Sequence, residues 1–250
     1  MAARRREKPP KALLHQVLWN ANADLAGACL SHPFVRGMAE GTLPKEAFRR
    51  YIAQDVFFLD AFFRAAALAA ARITGDPERA RAFHRLMAGV LDEVRLHEEY
   101  AGSLGIDLRR IQPYPCVQAY TDFLLRTAWH EGPGETVAAM TPCMRLYSWL
   151  GKALRPDLRR RHPYARWIET YSSPAFEALA AELESLLDRL AVAREVTRDT
   201  YRNALQCGRE PAEGVGVRVL QHHHVDATPA AGAQHRRNDP VAGIDGATDR

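Results

Sequence analysis

Apolar residues recur three and four positions apart through nearly all of the first 206 residues, the spacing of helices that bury one face. Leu13, Leu14, Val17, Leu18, Ala21, Leu25 and Cys29 predict one first helix, stopped before Pro33. His32 to Gly37 then reads as a turn or a short helical piece. Thr42 is placed to cap a longer element from about Pro44 to Ile73, with Glu46 in its first turn. That element carries Phe48, Tyr51, Phe57, Phe58, Leu59, Phe62, Phe63 and Leu68. It is apolar nearly all round and is expected at the centre. Pro77 opens a helix to about Leu104, ended by Gly105. Another spans about Tyr114 to Trp129, with Tyr120 and Phe123 facing inward, and Gly132-Pro133-Gly134 breaks the chain before the next.

Gly134 to Arg155 follows, with Val137, Met140, Leu146, Leu150 and Leu154 as its buried stripe. A short helix holds Trp167, Ile168 and Tyr171. Ser172 or Ser173 caps a helix from about Pro174 to Leu190, and a last one spans about Glu195 to Gln206. No alternation of β-branched residues interrupts this pattern, so the expected fold is all-α, a single-domain helical bundle over residues 11–206.

Composition changes the picture at the two ends. Residues 1–10 are basic and contain proline, and read as a disordered lead-in. From Arg202 to Arg250 there is no Phe, Trp or Tyr, while Gly, Ala, Pro, His and Arg accumulate, so residues 207–250 are expected to be a disordered or aberrant tail. His222-His223-His224 in that tail reads as a solvated tract. A charge of +4, from 34 Lys+Arg against 30 Asp+Glu, is too mild to indicate nucleic acid, and the basic residues cluster at Arg4–Lys11 and Arg155–Arg161. The four cysteines show neither CxxC nor Cys/His metal spacing. No export signal or bilayer-length apolar run is present, so the expectation is a cytoplasmic protein with reduced thiols and no membrane partner.

Candidate chemistry centres on Cys143. Cys143 and Tyr147 are i and i+4 on one helix face, and Pro142 is placed to open or kink the backbone beside the thiol. The thiol can be a nucleophile or a small buried core residue. Asp55 and Asp60 lie inside the apolar element, where an acid needs a specific partner, or else on a polar stripe with Arg49, Arg50 and Arg64. Glu93 and His97, also i and i+4, could hold a metal from one face, but fit a hydrogen bond at the surface or within the core at least as well.

These residues together resemble the TenA proteins, the thiaminase II or aminopyrimidine aminohydrolase group. The matching words are His32-Pro33-Phe34-Val35-Arg36-Gly37, Gly41-Thr42-Leu43-Pro44, Tyr51-Ile52-Ala53-Gln54-Asp55 and Phe57-Phe58-Leu59. Further on come Glu93, His97, Tyr120-Thr121, Pro142-Cys143, Tyr147 and Trp167-Ile168-Glu169-Thr170-Tyr171. The match runs over about residues 12–192. The resemblance implies a haem-oxygenase-like bundle, assembled as a homotetramer, with no metal or cofactor. It implies hydrolysis of an aminomethyl-pyrimidine or of thiamin in thiamin salvage. Cys143 would be the nucleophile, Asp55 the carboxylate that holds the amidine edge of the ring and helps activate the thiol, and Tyr147 the neighbour that positions the cysteine. Tyr120, Tyr171 and Phe58 would be the aromatic residues around the ring, and Cys29, Cys116 and Cys207 would be structural.

The chain departs from the family pattern at its last helix. A glutamate followed three residues later by two aromatics is due shortly after Leu205, and the chain reads Gln206-Cys207-Gly208-Arg209-Glu210-Pro211 instead. Glu210 and Glu213 lie near without the aromatic pair, a pattern that a change of reading frame near Gln206 would produce. Two other functions stay open, the first suggested by this departure and the second by the helical scaffold. One is a catalytically impaired, pyrimidine-binding or regulatory protein. The other is a di-iron oxidase using Glu93 and His97, although such sites favour an i, i+3 spacing and partners from further helices.

Overall fold

The computed structural model describes residues 12–155 and 161–206. The basic lead-in, most of the Arg155–Arg161 run and the tail with Cys207, Glu210, Glu213 and the histidine triplet lie outside the described residues. Every regular element among those described is helical, as expected. The helices are α1 Leu14–Ala21, α2 Ala23–Leu30, α3 Pro33–Glu40, α4 Lys45–Ala70, α5 Pro77–Leu104, α6 Pro115–His130, α7 Pro133–Leu154, α8 Ala165–Tyr171, α9 Pro174–Leu190 and α10 Glu195–Gln206, with a 3-10 turn at Leu108–Arg110.

Two local expectations are corrected. The single first helix is two, because Asn22 leaves helical geometry (φ −121°) while its side-chain amide donates to the Leu18 carbonyl at 2.8 Å. Thr42 does not cap α4, whose N-cap is Pro44 with no side-chain cap bond. Pro142 sits inside α7 without ending it; the helix continues for twelve residues to Leu154. Other signals hold. Asp76 and Ser173 accept hydrogen bonds from the third residues beyond them, Arg79 and Phe176, and Gly105 ends α5 in the left-handed region at φ +65°.

α4 is the central helix, packed on α5, α6 and α7, and its Tyr51, Ile52, Ala65, Ala66 and Ala69 are fully buried. α5 also packs on α9, and α9 on α7, so α4, α5, α9 and α7 close into a ring. α6 covers the seam between α4 and α7, and α8 and α10 also pack on α7. Arg145, two residues past Cys143 and therefore on another face of α7, ties the ring together. It meets Glu184 at 2.7 Å and Glu177 at 3.0 Å, both on α9.

α7 and α8 approach so closely at Gly151 that an added Cβ would lie 2.5 Å from the Tyr171 carbonyl carbon and 2.7 Å from the Ser172 nitrogen. The obstacle is backbone, which cannot swing aside as a side-chain tip can. Gly151→Ala is therefore expected to lower stability by about 1–3 kcal/mol, in spite of the roughly 1 kcal/mol alanine gains in helix propensity. The shift of the urea midpoint measures it.

Candidate active site

The axis of the four-helix ring holds a cavity with about 320 Å³ of atom-free space, its open mouth included. Each of the four helices contributes to its wall: Asp55, Phe58, Leu59 and Phe62 from α4, Val90 and Glu93 from α5, Cys143, Met144 and Tyr147 from α7, and Phe176 from α9. Cys143, Asp55, Tyr147 and Phe58 thus share one cavity. Tyr120 and Tyr171 stand behind that wall. Tyr120 stacks on Phe58 (centroids 4.9 Å, 28°), and Tyr171 packs edge-on against Tyr147 at 4.9 Å.

Asp55 is almost completely buried, 3% exposed, and both of its described partners meet the same oxygen, Oδ2. The Tyr51 hydroxyl donates to it at 3.2 Å, and His97 Nε2 approaches to 2.8 Å. The second approach is an ion pair whose ring N–H does not point straight at the oxygen. His97 Nδ1 lies 3.0 Å from the Glu93 carbonyl oxygen. Both ring nitrogens therefore face acceptors, which calls for the doubly protonated imidazolium. Burial pulls the His97 pKa down, but Asp55 and then Glu93 outweigh it and leave it at about 9.

Tyr51 is a hub. Its oxygen receives the Trp167 indole N–H at 3.2 Å and is hydrogen-bonded with Tyr147, while its proton goes to Asp55. Glu93 accepts a short hydrogen bond from the Tyr171 hydroxyl on Oε1. Burial, and the Asp55 charge after it, hold Glu93 up at about 7 against the opposing pull of His97 and the Tyr171 bond. Asp55, Glu93 and His97 each bring one polar atom to within 4.8 Å of the others. That is a cation-sized gathering, and the imidazolium itself supplies positive charge to it.

Burial pushes the Cys143 thiol well above its ordinary pKa, and the negative charges of Asp55 and Glu93 push it the same way. Activated cysteines usually lie beside cations that lower the pKa; this site does the reverse, so its resting form is the neutral thiol. Cys29 and Cys116 are buried in the core and do not line the cavity.

Asp60, the other acid of α4, is exposed and pairs with Arg64 one turn on. Sequence reasoning missed Tyr51, Trp167, Met144 and Phe176 as site residues, and carried Glu93 and His97 only as a hydrogen-bonded pair or as the ligands of a less favoured di-iron site. The available signal was the combination of two facts: a buried Asp55 that required a partner, and a histidine and a glutamate sharing one face of α5.

The TENA/THI-4/PQQC family model matches residues 19–206. Among curated proteins, the "Bifunctional TH2 protein, mitochondrial" of Arabidopsis thaliana is 37% identical over 227 residues, covering 78% of this chain and 37% of that protein. The "Thiamine biosynthesis multifunctional protein ThiED" of Corynebacterium efficiens is 32% identical over 65% of this chain and 22% of its own length. The chain thus spans well under half of these two multifunctional relatives. An "Aminopyrimidine aminohydrolase" of Helicobacter pylori is 31% identical, covering 71% of this chain and 84% of that protein. A solved TenA family transcription regulator from Silicibacter superposes with a TM-score of 0.69 at 26% identity, over 76% of this chain and 91% of that one. The haem-oxygenase-like helical fold expected from the sequence is the one such structures share. On the family model and the shared fold together, the chain belongs to the TENA/THI-4/PQQC family.

Proposed function

We propose that this protein is an aminopyrimidine aminohydrolase of thiamin salvage, replacing the amine of an aminomethyl-pyrimidine, or the thiazole of thiamin, with hydroxyl. The observation that carries this reading is the presence of the Cys143 thiol and the Asp55 carboxylate on one small, largely apolar cavity. The name of the relative from Helicobacter pylori supports the same activity. No described partner hydrogen-bonds Asp55 Oδ1, which leaves that oxygen for the amino group and ring nitrogen of a pyrimidine. Phe58, backed by Tyr120, offers a flat apolar wall to the ring. Tyr147 and Tyr171 are assigned to positioning, the first of Cys143 one turn away and the second of Glu93.

In this mechanism the sulfur adds to the ring, the amine leaves from the exocyclic carbon, water takes its place, and the sulfur is released. Asp55→Asn keeps the shape and removes the charge. Ammonia release from aminomethyl-pyrimidine is expected to fall by about 10²–10³-fold. Unchanged release would remove Asp55 from the mechanism. Homotetrameric assembly and a cytoplasmic location belong to the same proposal, and sedimentation of the purified chain tests the first.

A second reading rests on the sequence after Leu205, which lacks the glutamate and aromatic pair described above. In it the protein binds the pyrimidine without turning it over. Calorimetry with hydroxymethylpyrimidine beside the ammonia assay separates the two, since binding with no release selects the silent protein.

A further inference from the structure

We propose that Glu93 is the proton carrier of the reaction, taking the proton of the Cys143 thiol as sulfur attacks and handing it to the amine as it departs. This rests on the hydrolase reading above. Glu93 shares the cavity wall with Asp55 and Cys143, and its charge is felt at the sulfur. Its only described hydrogen-bond partner is Tyr171, on Oε1, so Oε2 is left for a ligand in the cavity. Two carboxylates therefore border the same small space with different duties. Asp55 has an imidazolium and a phenol on one oxygen, which hold it in place. Glu93 has no cation in direct contact and can change its proton.

A neutral thiol needs a base before it can attack, and an amine leaving as its anion needs an acid. One group can serve both in sequence. The Glu93 carboxylate takes the thiol proton while the S–C bond forms, which leaves the ring adduct negative. Protonated Glu93 then gives that proton to the nitrogen as the C–N bond breaks, so ammonia departs and the ring keeps a neutral exocyclic methylene. Water adds to the methylene and gives one proton to Glu93; the S–C bond breaks, and the proton returns to sulfur. The sum is amine plus water to alcohol plus ammonia, with the protein restored.

A pKa of about 7 suits this exchange, because both forms of Glu93 are populated near neutrality. The titratable groups around it are Tyr51 and Asp55 from α4, His97 from α5, Cys143 and Tyr147 from α7 and Tyr171 from α8. From α9 only Phe176 reaches the cavity.

The experiment compares two leaving groups in Glu93→Gln, whose amide oxygen can still accept from Tyr171. Ammonia release from aminomethyl-pyrimidine should fall by about 10²–10⁴-fold. Thiazole release from thiamin should fall at least about tenfold less, since thiazole departs neutral and needs no proton. The acidic limb of the wild-type kcat/KM profile, centred near pH 7, should vanish in the variant. Glu93→Asp withdraws the carboxyl by one methylene and should run slowly with that limb retained, so it also serves if Glu93→Gln does not fold. Equal losses on both substrates with the limb intact, no loss at all, or a Glu93→Asp protein without the limb would each overturn the proposal. A wild-type protein releasing neither ammonia nor thiazole defeats the hydrolase reading, and this inference falls with it.

Discussion

Cys143→Ser is expected to abolish ammonia and thiazole release, by on the order of 10⁴-fold or more, while binding of hydroxymethylpyrimidine stays within a few-fold of wild type. The two atoms differ little in size, so the cavity keeps its shape. A hydroxyl is a far weaker acid and a harder nucleophile. Sharing a cavity wall with Asp55 and Glu93, in a site that already disfavours negative charge, it has no route to the oxyanion. The same environment makes a second measurable statement about the wild type. Alkylation of Cys143 in the free protein should be slow at neutrality and quicken as pH rises beyond the usual cysteine range. Rapid alkylation at pH 7 would show a thiolate, and would remove the need for a base in the cavity.

His97→Leu is expected to be the most damaging single change to stability, on the order of 3–5 kcal/mol, because it leaves the buried Asp55 carboxylate without its cation. In a domain of this size, that lowers Tm by roughly 10 °C or more. The pH dependence follows from the directions of the shifts. The folded pKa of His97 is about 9 against 6.5 unfolded, so its contribution is complete below about 6.5 and disappears as pH rises through 9. About 3 kcal/mol is involved. Glu93, lifted from 4.5 to about 7, contributes below 4.5 and loses that contribution on the way up to 7. Both effects fade with rising pH, in successive windows that overlap near pH 7. Urea midpoints from pH 5 to 10 should therefore show the gap between wild type and His97→Leu closing above pH 7. A constant gap would mean that leucine fails through shape, with no electrostatic part. Loss of the imidazolium should also carry Glu93 still higher, since His97 is what holds it down.

The helices were legible because their signals are local. A proline at the first turn and a glycine in the left-handed region bound α5 wherever the rest of the chain goes. The division at Asn22 was not legible, because Leu13 to Cys29 keep one apolar period across a break made by a single side-chain amide. Cys143 and Tyr147 could be paired because both stand on α7. Asp55 and His97 could not, since 42 positions and a helix reversal separate them and nothing in spacing joins α4 to α5. Asp60 shows the limit from the other side. It lies five residues from Asp55 on the same helix, and only the ring of α4, α5, α9 and α7 decides which acid faces the axis and which faces water. The direction of the thiol's shift was likewise out of reach, as it depends first on burial within the ring and then on charges from two other helices.

The tight crossing at Gly151 reaches further than packing. α8 carries both Trp167, whose indole N–H supports the Tyr51 hub, and Tyr171, whose hydroxyl restrains Glu93. A methyl group that forced α8 outward would loosen both bonds, and an acid relieved of its phenol donor binds its proton more tightly. The absence of one carbon atom two turns along α7 from the sulfur thus sets the acidity of a group on another helix, and a crowding defect there would be read in a titration curve before it was seen in a melting curve.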